Sequence, residues 1–165
     1  IVNLIRRKVS VMESEIAERD IDIVLSLPES PVVIVADADQ IQQVVRNLMT
    51  NALDSMTRES SHMDLSKDEP AGTLRASLTV ENGRVVIAVE DTGVGIVEGE
   101  TKQLFEPFYT TKNNGTGLGL AICSQIVNDH GGEISVANNQ WGGASFFVTL
   151  PVDEEDSTNG ANTGR

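Results

Sequence analysis

Cysteine occurs once in the 165 residues, at Cys123, so no internal disulfide can form and the fold must rest on packing. A lone thiol fits a reducing compartment, and its place in an apolar helical pattern points to an inert, buried group and not a nucleophile. Aromatic residues are nearly as scarce, at one Trp, one Tyr and four Phe. Three of those six lie between Phe105 and Tyr109. Basic residues number 12 against 25 acidic ones, for a net charge of −13. Such a surface repels nucleic acid and anionic membranes. An anionic ligand would therefore need help from backbone amides, a cationic side chain or a metal. No apolar run approaches the ~20 residues of a membrane span, and no signal-peptide pattern opens the chain. A start at Ile1 in place of Met reads as a piece cut from something longer. Of the two histidines, His62 sits in a polar stretch and His130 at a helix end, and neither has neighbours at metal-binding spacing.

What is present suits one domain with a true core. Val2, Ile5, Val9, Met12 and Ile16 recur at helical steps and predict a helix over 1–19. Ile21 to Leu27 and Val32 to Val35 read as strands, separated by the breaker Pro28-Glu29-Ser30-Pro31. Asp37 with Gln40 three residues on is a capping-box pattern, opening a helix with Ile41, Val44, Val45, Leu48, Ala52 and Met56 on its apolar face. Residues 57–72 read as a loop. Strands are expected over Leu74 to Glu81 and Arg84 to Asp91, joined by the hairpin dipeptide Asn82-Gly83. Val97 to Leu104 reads as a short helix and Ala121 to Asp129 as a longer one, closed by Gly131-Gly132. Glu133 to Ala137 and Ala144 to Leu150 complete the strands, and 152–165 is acidic and polar enough to be disordered.

Four stretches carry chemistry. Gln43, Asn47, Asn51 and Asp54 share one row of the second helix. Asparagine is a mediocre helix former, so two in register call for a reason. The row is either a solvated stripe or a source of amide oxygens for a hard cation such as Mg²⁺. Asp91-Thr92-Gly93-Val94-Gly95-Ile96 puts a carboxylate at a strand end with glycines beyond. Asp91 there is either a turn cap or an acceptor for an exocyclic amine at a pocket mouth. Phe105-Glu106-Pro107-Phe108-Tyr109-Thr110-Thr111-Lys112 gathers the aromatics, which read as a core plug, and ends in a cation three residues before Gly115. Gly115-Thr116-Gly117-Leu118-Gly119-Leu120 leads into a helix N-terminus. That end offers free N–H groups and the positive end of the helix dipole to phosphate, though a plain glycine loop reads the same way. No Gly-Lys-Ser/Thr follows, which excludes a P-loop.

In this order, the runs Asn47 to Ala52, Asp91 to Ile96, Phe105 to Phe108 and Gly115 to Leu120 resemble the N, G1, F and G2 boxes of sensor histidine kinases. The resemblance spans roughly residues 1–151. Phe108 to Lys112 and the short gap to Gly115 look most like the nitrogen-regulation and oxygen-sensor branch. It implies the Bergerat ATP-binding α/β sandwich, a mixed and mostly antiparallel sheet covered on one face by helices. It implies ATP and Mg²⁺ as ligands, with Asn51 on the metal and Asn47 assisting at the phosphates. Asp91 would take the adenine amine, and Gly93, Gly95 and Ile96 would pass beside the base. Tyr109, Thr110, Thr111 and Lys112 would belong to a short lid, and Gly115, Thr116, Gly117, Leu118, Gly119 and Leu120 would present amides to phosphate. The catalytic set would be Asn47, Asn51 and Lys112.

The same resemblance implies a bacterial cytoplasmic catalytic domain at 20–151. Residues 1–19 would be the helix arriving from a dimerisation and phosphoacceptor hairpin. The partners implied are that hairpin and a response-regulator receiver domain, in a homodimeric full-length protein with no nucleic acid and no direct membrane contact. Two positions depart from the pattern. Asp54 and Ser55 stand where many relatives carry Lys or Arg and then Tyr. A carboxylate near phosphate is repulsive unless a cation intervenes, so Lys112 is expected to supply the missing charge and the Tyr109 ring or apolar residues to cover the base. Related hydrolases carry a Glu at the place of Asn47, which cannot act as a base, so hydrolysis should be slow. The alternatives within this fold are an ATPase or chaperone module and a non-catalytic nucleotide sensor.

Overall fold

The computed structural model describes residues 1–56, 70–112 and 115–152. Its elements are α1 (Val2–Glu18), β1 (Ile21–Ser26), α2 (Ala38–Ser55), β2 (Gly72–Glu81), β3 (Arg84–Glu90), a 3₁₀ turn (Gln103–Phe105), α3 (Gly119–Asp129), β4 (Glu133–Asn138) and β5 (Ala144–Pro151). The sheet order is β1-β2-β3-β5-β4. β1 runs parallel to β2 and every other pair is antiparallel. The parallel pair needs a crossover, which α2 supplies. Asn82 and Gly83, both at positive φ (50° and 71°), turn β2 into β3 as a two-residue hairpin.

Strand alternation puts Leu74, Ala76 and Leu78, then Val85, Ile87 and Val89, then Phe146, Val148 and Leu150 on one buried face. Three helices cover it. α1 buries Val2, Ile5, Val9, Met12 and Ile16, the periodic set read from sequence, in the same core. α2 starts at the expected cap, with the Asp37 carboxylate accepting from Asp39 N–H at 2.9 Å and Gln40 N–H at 3.0 Å. The return bond of a capping box is replaced, because Asp37 N–H goes to His130 and not to Gln40. It buries Ile41, Val44, Val45, Leu48, Met49, Ala52 and Leu53. His130 ties the helices together. Its Nε2 accepts from Asp37 N–H at 3.0 Å and its Nδ1 lies 2.7 Å from Ile126 O, so its ring is a helix-end strut.

Two expected elements are corrected. Val32 to Val35 forms no strand, although alternation is real: Val32, Ile34 and Ala36 pack on the core while Val33 and Val35 are exposed. Side chains are partitioned as in a strand, but the backbone belongs to no ladder. Val97 to Leu104 forms turns and only the 3₁₀ stretch. Gly99 at φ 91° interrupts it, and Val97 is exposed, so no apolar face holds a helix there. The loop over 57–72 is shortened by β2, which begins at Gly72; residues 57–69 of that loop, His62 among them, and the tail beyond Val152 lie outside the described residues. No helix among the described residues is long and apolar enough to cross a membrane.

Leu48 has no exposed surface and sits on the face of α2 that fixes the helix to the sheet. Replacing it with Ala is expected to lower stability by about 2–5 kcal/mol, measured by urea unfolding followed by circular dichroism.

Candidate functional site

Because the apolar face of α2 is locked in the core, its polar row faces outward at a fixed angle. Successive turns of that row meet three separate loops. At the first, Asn47 Nδ2 donates to Gly119 O at 3.2 Å, pinning the start of α3 against α2. At the second, Asn51 Oδ1 and Asp54 Oδ2 accept from Lys112 Nζ at 3.1 and 2.7 Å. At the third, Ser55 lies so close to Gly93 that a Cβ there would come within 2.3 Å of Ser55 Oγ. Ser55 itself donates to Ala52 O at 2.7 Å. The amide row, the glycine loop, the Lys112 segment and the Asp91 loop are thus one site.

Its base is Asp91, the strand-end carboxylate, which is 2% exposed. Asp91 Oδ1 accepts from Gly93 N–H at 2.8 Å and Ala144 N–H at 3.3 Å. Burial drives its pKa above the usual carboxylate range, while the Gly93 N–H, the adjacent Ser55 hydroxyl and the Ala144 N–H pull the other way. Desolvation is the largest effect, so burial outweighs the three donors around the carboxyl. Gly143 allows this: a Cβ there would fall 2.1 Å from Asp91 O. Asn139 completes the mount, donating from Nδ2 to Asp91 O at 2.8 Å.

Gly95 takes φ 69°, and a Cβ on it would meet Gly142 O at 2.7 Å. The Asn138 amide clamps Ile96, with Ile96 N–H donating to Oδ1 at 2.7 Å and Nδ2 donating to Ile96 O at 2.8 Å. At the other side, Phe108 N–H donates to Gly117 O at 2.9 Å. Gly117 has φ 67°, and its Cβ would strike the Phe108 backbone at 2.4 Å. The aromatic segment and the glycine loop are therefore joined backbone to backbone. Gly115 N–H donates to Lys112 O at 3.1 Å, and Lys112 N–H to Thr110 Oγ1 at the same distance. Thr111 and Thr116 are exposed, Leu118 is half-buried, and Leu120 packs on the core. α3 begins with no side-chain cap and no acidic residue in its first turn, which leaves its N-terminal amides to whatever enters.

The aromatics correct the core-plug expectation in part. Phe105 does pack on the core, but Phe108 is 76% exposed. The Glu100 carboxylate beside the Tyr109 hydroxyl raises the pKa of the phenol. Asn138, Asn139 and Gly143, which hold the Asp91 and Ile96 loops, read in sequence only as a turn. Their signal was the density of Asn and Gly in six residues, richer than a plain hairpin requires. Arg19, whose Nη1 reaches Asp54 Oδ1 at 3.2 Å, carried no signal beyond its charge. Among the described residues no three His, Cys, Asp or Glu side chains converge into a metal site. Any divalent ion here would lean on an amide oxygen and on the ligand. Asn51 Oδ1 fits that use, since it already faces a cation, the Lys112 ammonium.

Residues 36–154 match the sequence family described as histidine kinase-, DNA gyrase B-, and HSP90-like ATPase. Sensor histidine kinase TmoS of Ectopseudomonas mendocina is 43% identical over 122 residues, covering 72% of this chain and 12% of that protein. Sensor histidine kinase ZraS of Salmonella typhimurium is 33% identical over 150 residues, covering 91% and 30%. The chain thus spans less than a third of the length of these relatives. Among solved structures, the nucleotide-free catalytic domain of histidine kinase ThkA superposes with a TM-score of 0.78 at 30% identity, covering 91% of each chain. ThkA in complex with the response regulator protein TrrA superposes at 0.75 and 27% identity, covering 93% of this chain and 41% of that one.

Cys123, wholly buried beside Asn47, has its thiol pushed up to about 11 by burial. At pH 8 it is expected to react with iodoacetamide about a hundredfold more slowly than in urea, where the ordinary thiol pKa returns; mass spectrometry of the alkylated chain measures the ratio.

Proposed function

This chain belongs to the histidine kinase-, DNA gyrase B- and HSP90-like ATPase family, and we propose that it is the ATP-binding catalytic domain of a sensor histidine kinase. It binds Mg-ATP and passes the γ-phosphoryl group to a histidine on a separate helical-hairpin domain, for relay to a response regulator. One observation carries this reading: the Asn47 amide of α2 bonds Gly119 at the uncapped start of α3, and Asn51, one turn on, accepts from the Lys112 ammonium. That junction brings amide N–H groups, a cation and a neutral oxygen donor together, the set a triphosphate with its metal requires.

Asp91, buried at the far end, accepts from the adenine amine. Gly93 and Gly95 let the backbone pass beside the base, and Ile96 lies against it with Tyr109 above. Backbone amides from Gly115 to Leu120 face the phosphates, with Thr110, Thr111 and Thr116 at the edge. Asn51 holds Mg²⁺ and Asn47 orients the phosphate end. When bound, Mg²⁺ would be held through Asn51 and would offset the charge that builds during transfer. Lys112 supplies the side-chain cation that Asp54 does not.

Transfer to a protein acceptor in preference to water is supported by Asn47, which donates to Gly119 O and has no basic atom to activate water. His130 is no acceptor, since both ring nitrogens are engaged between α2 and α3. We assign the acceptor to a separate hairpin domain joined through α1, with 20–151 as the catalytic unit. The complex of the similar kinase ThkA with TrrA supports a receiver-domain partner. A homodimeric protein with this part in the bacterial cytoplasm completes the proposal.

Calorimetric titration of ATP with and without Mg²⁺ tests the site. Asn51→Ala is expected to abolish the Mg²⁺-dependent part of the affinity. Lys112→Ala is expected to weaken binding about tenfold, on the order of 1–2 kcal/mol. Unchanged affinity in both variants would remove the assignment, and steady ATP turnover by this chain alone would favour an ATPase.

The elevated pKa of Asp91 gives a second test. Protonation turns an accepting oxygen into a donor facing the donor amine of adenine, so acidification must weaken binding. Because burial raises the pKa, the loss of affinity should set in at a higher pH than an ordinary aspartate would give. Asp91→Asn should bind weakly with no such profile, and a wild-type affinity that is flat through the acid range would refute the role.

A further inference from the structure

Asp54 joins three distant parts of the chain. Its Oδ1 accepts from Arg19 Nη1 at 3.2 Å, and Arg19, the C-cap of α1, also reaches Glu15 through Nη2 at 2.8 Å. Its Oδ2 accepts from Lys112 Nζ at 2.7 Å, and that same ammonium lies 3.1 Å from Asn51 Oδ1. The side chains of Arg19, Asp54 and Lys112 are 30%, 35% and 41% exposed, so water reaches all three.

Ion pairs at such exposure shift an equilibrium by a factor of only ~1.4 to 5. A triphosphate offers Lys112 more charge and several strong acceptors, so the bond to Asp54 is one that a nucleotide can replace. The present position of Lys112 also has a cost for metal binding. An ammonium on Asn51 Oδ1 repels any second cation approaching that oxygen. Lys112 must leave Asn51 before Mg²⁺ can use it.

We propose that Asp54 is a positioning residue that parks Lys112 on the Asn51 amide and releases it to the phosphates when Mg-ATP enters. Arg19 remains behind as the counter-ion of Asp54, which keeps the carboxylate from repelling the phosphates. This rests on the placement of the nucleotide between α2 and α3 given above. Because Arg19 comes from α1, the hold on Lys112 depends on how α1 is seated. Withdrawing Arg19 leaves Lys112 as the main counter-charge of Asp54 and makes the ammonium harder to release.

Calorimetry with the whole chain tests this, using Mg-ATP and, as a ligand without phosphates, adenosine. Asp54→Asn is expected to bind Mg-ATP about threefold more tightly and to reach half-saturation at lower Mg²⁺, with adenosine affinity unchanged. In a Lys112→Met background the gain from Asp54→Asn should shrink. Arg19→Met should weaken Mg-ATP binding only while Asp54 is present. Simple repulsion between Asp54 and phosphate gives the opposite sign of coupling, since removing Lys112 would leave the carboxylate less neutralised and enlarge the gain. A gain as large or larger without Lys112, no gain with it, or a parallel change in adenosine affinity overturns the proposal while leaving the nucleotide site intact. Asp54→Ser provides the same comparison through a different side chain, with circular dichroism confirming the fold of each variant. A wild-type chain whose Mg-ATP binding is absent, or indifferent to Asn51→Ala, overturns the site assignment and this proposal with it.

Discussion

A helix with one face sealed in a core cannot turn about its axis, and that restriction on α2 governs the rest of the site. Seven apolar residues from Ile41 to Leu53 hold it against the sheet. Its polar row is therefore presented at a set angle and height, and three loops that are remote in sequence meet it one after another. Each meeting uses a different device: an amide-to-carbonyl bond at Asn47, an ammonium at Asn51 and Asp54, and a close approach without Cβ at Gly93. None of these alone is strong. They act together because the apolar face of the helix has already removed its freedom to rotate.

The two ends of the site are built on opposite electrostatic terms. Around Asp91 the surroundings are dry, and desolvation is the largest influence on its carboxyl. Around Asp54 the surroundings are wet, and its charge is matched by two cations from other elements. A buried acceptor suits recognition of a flat, weakly polar group, where an unmet partner is costly. Exposed ion pairs suit a region through which charged groups must enter and leave. In the proposed function, selection at the end of β3 is kept apart from charge handling on α2.

Much of this was legible in the sequence. The periodic set of α1, the Asp37 cap, the Asn82-Gly83 hairpin and the glycine-rich approach to α3 were readable because each depends on residues within a few positions of one another. Val32 to Val35 misled for a physical reason: burial imposes alternation on any extended segment, whether or not its backbone finds a ladder. Arg19, Asp54 and Lys112 could not be paired beforehand, since they stand 35 and 58 positions apart and only the tertiary fold brings them together. The Asn138 and Asn139 mounts were hidden differently. Side chains that hold another loop in place have the same composition as ordinary turn residues, and only their geometry reveals the work.

The parallel strand β1 has a consequence for the order in which the chain assembles. Ile21 aligns with Gly72, whereas the β2–β3 hairpin closes over two residues. The hairpin can zip locally, while β1 must await α2 and close a loop of some fifty residues against an entropy that grows with contour length. This edge strand is thus among the last to join, and on heating it is placed to be among the first to fray.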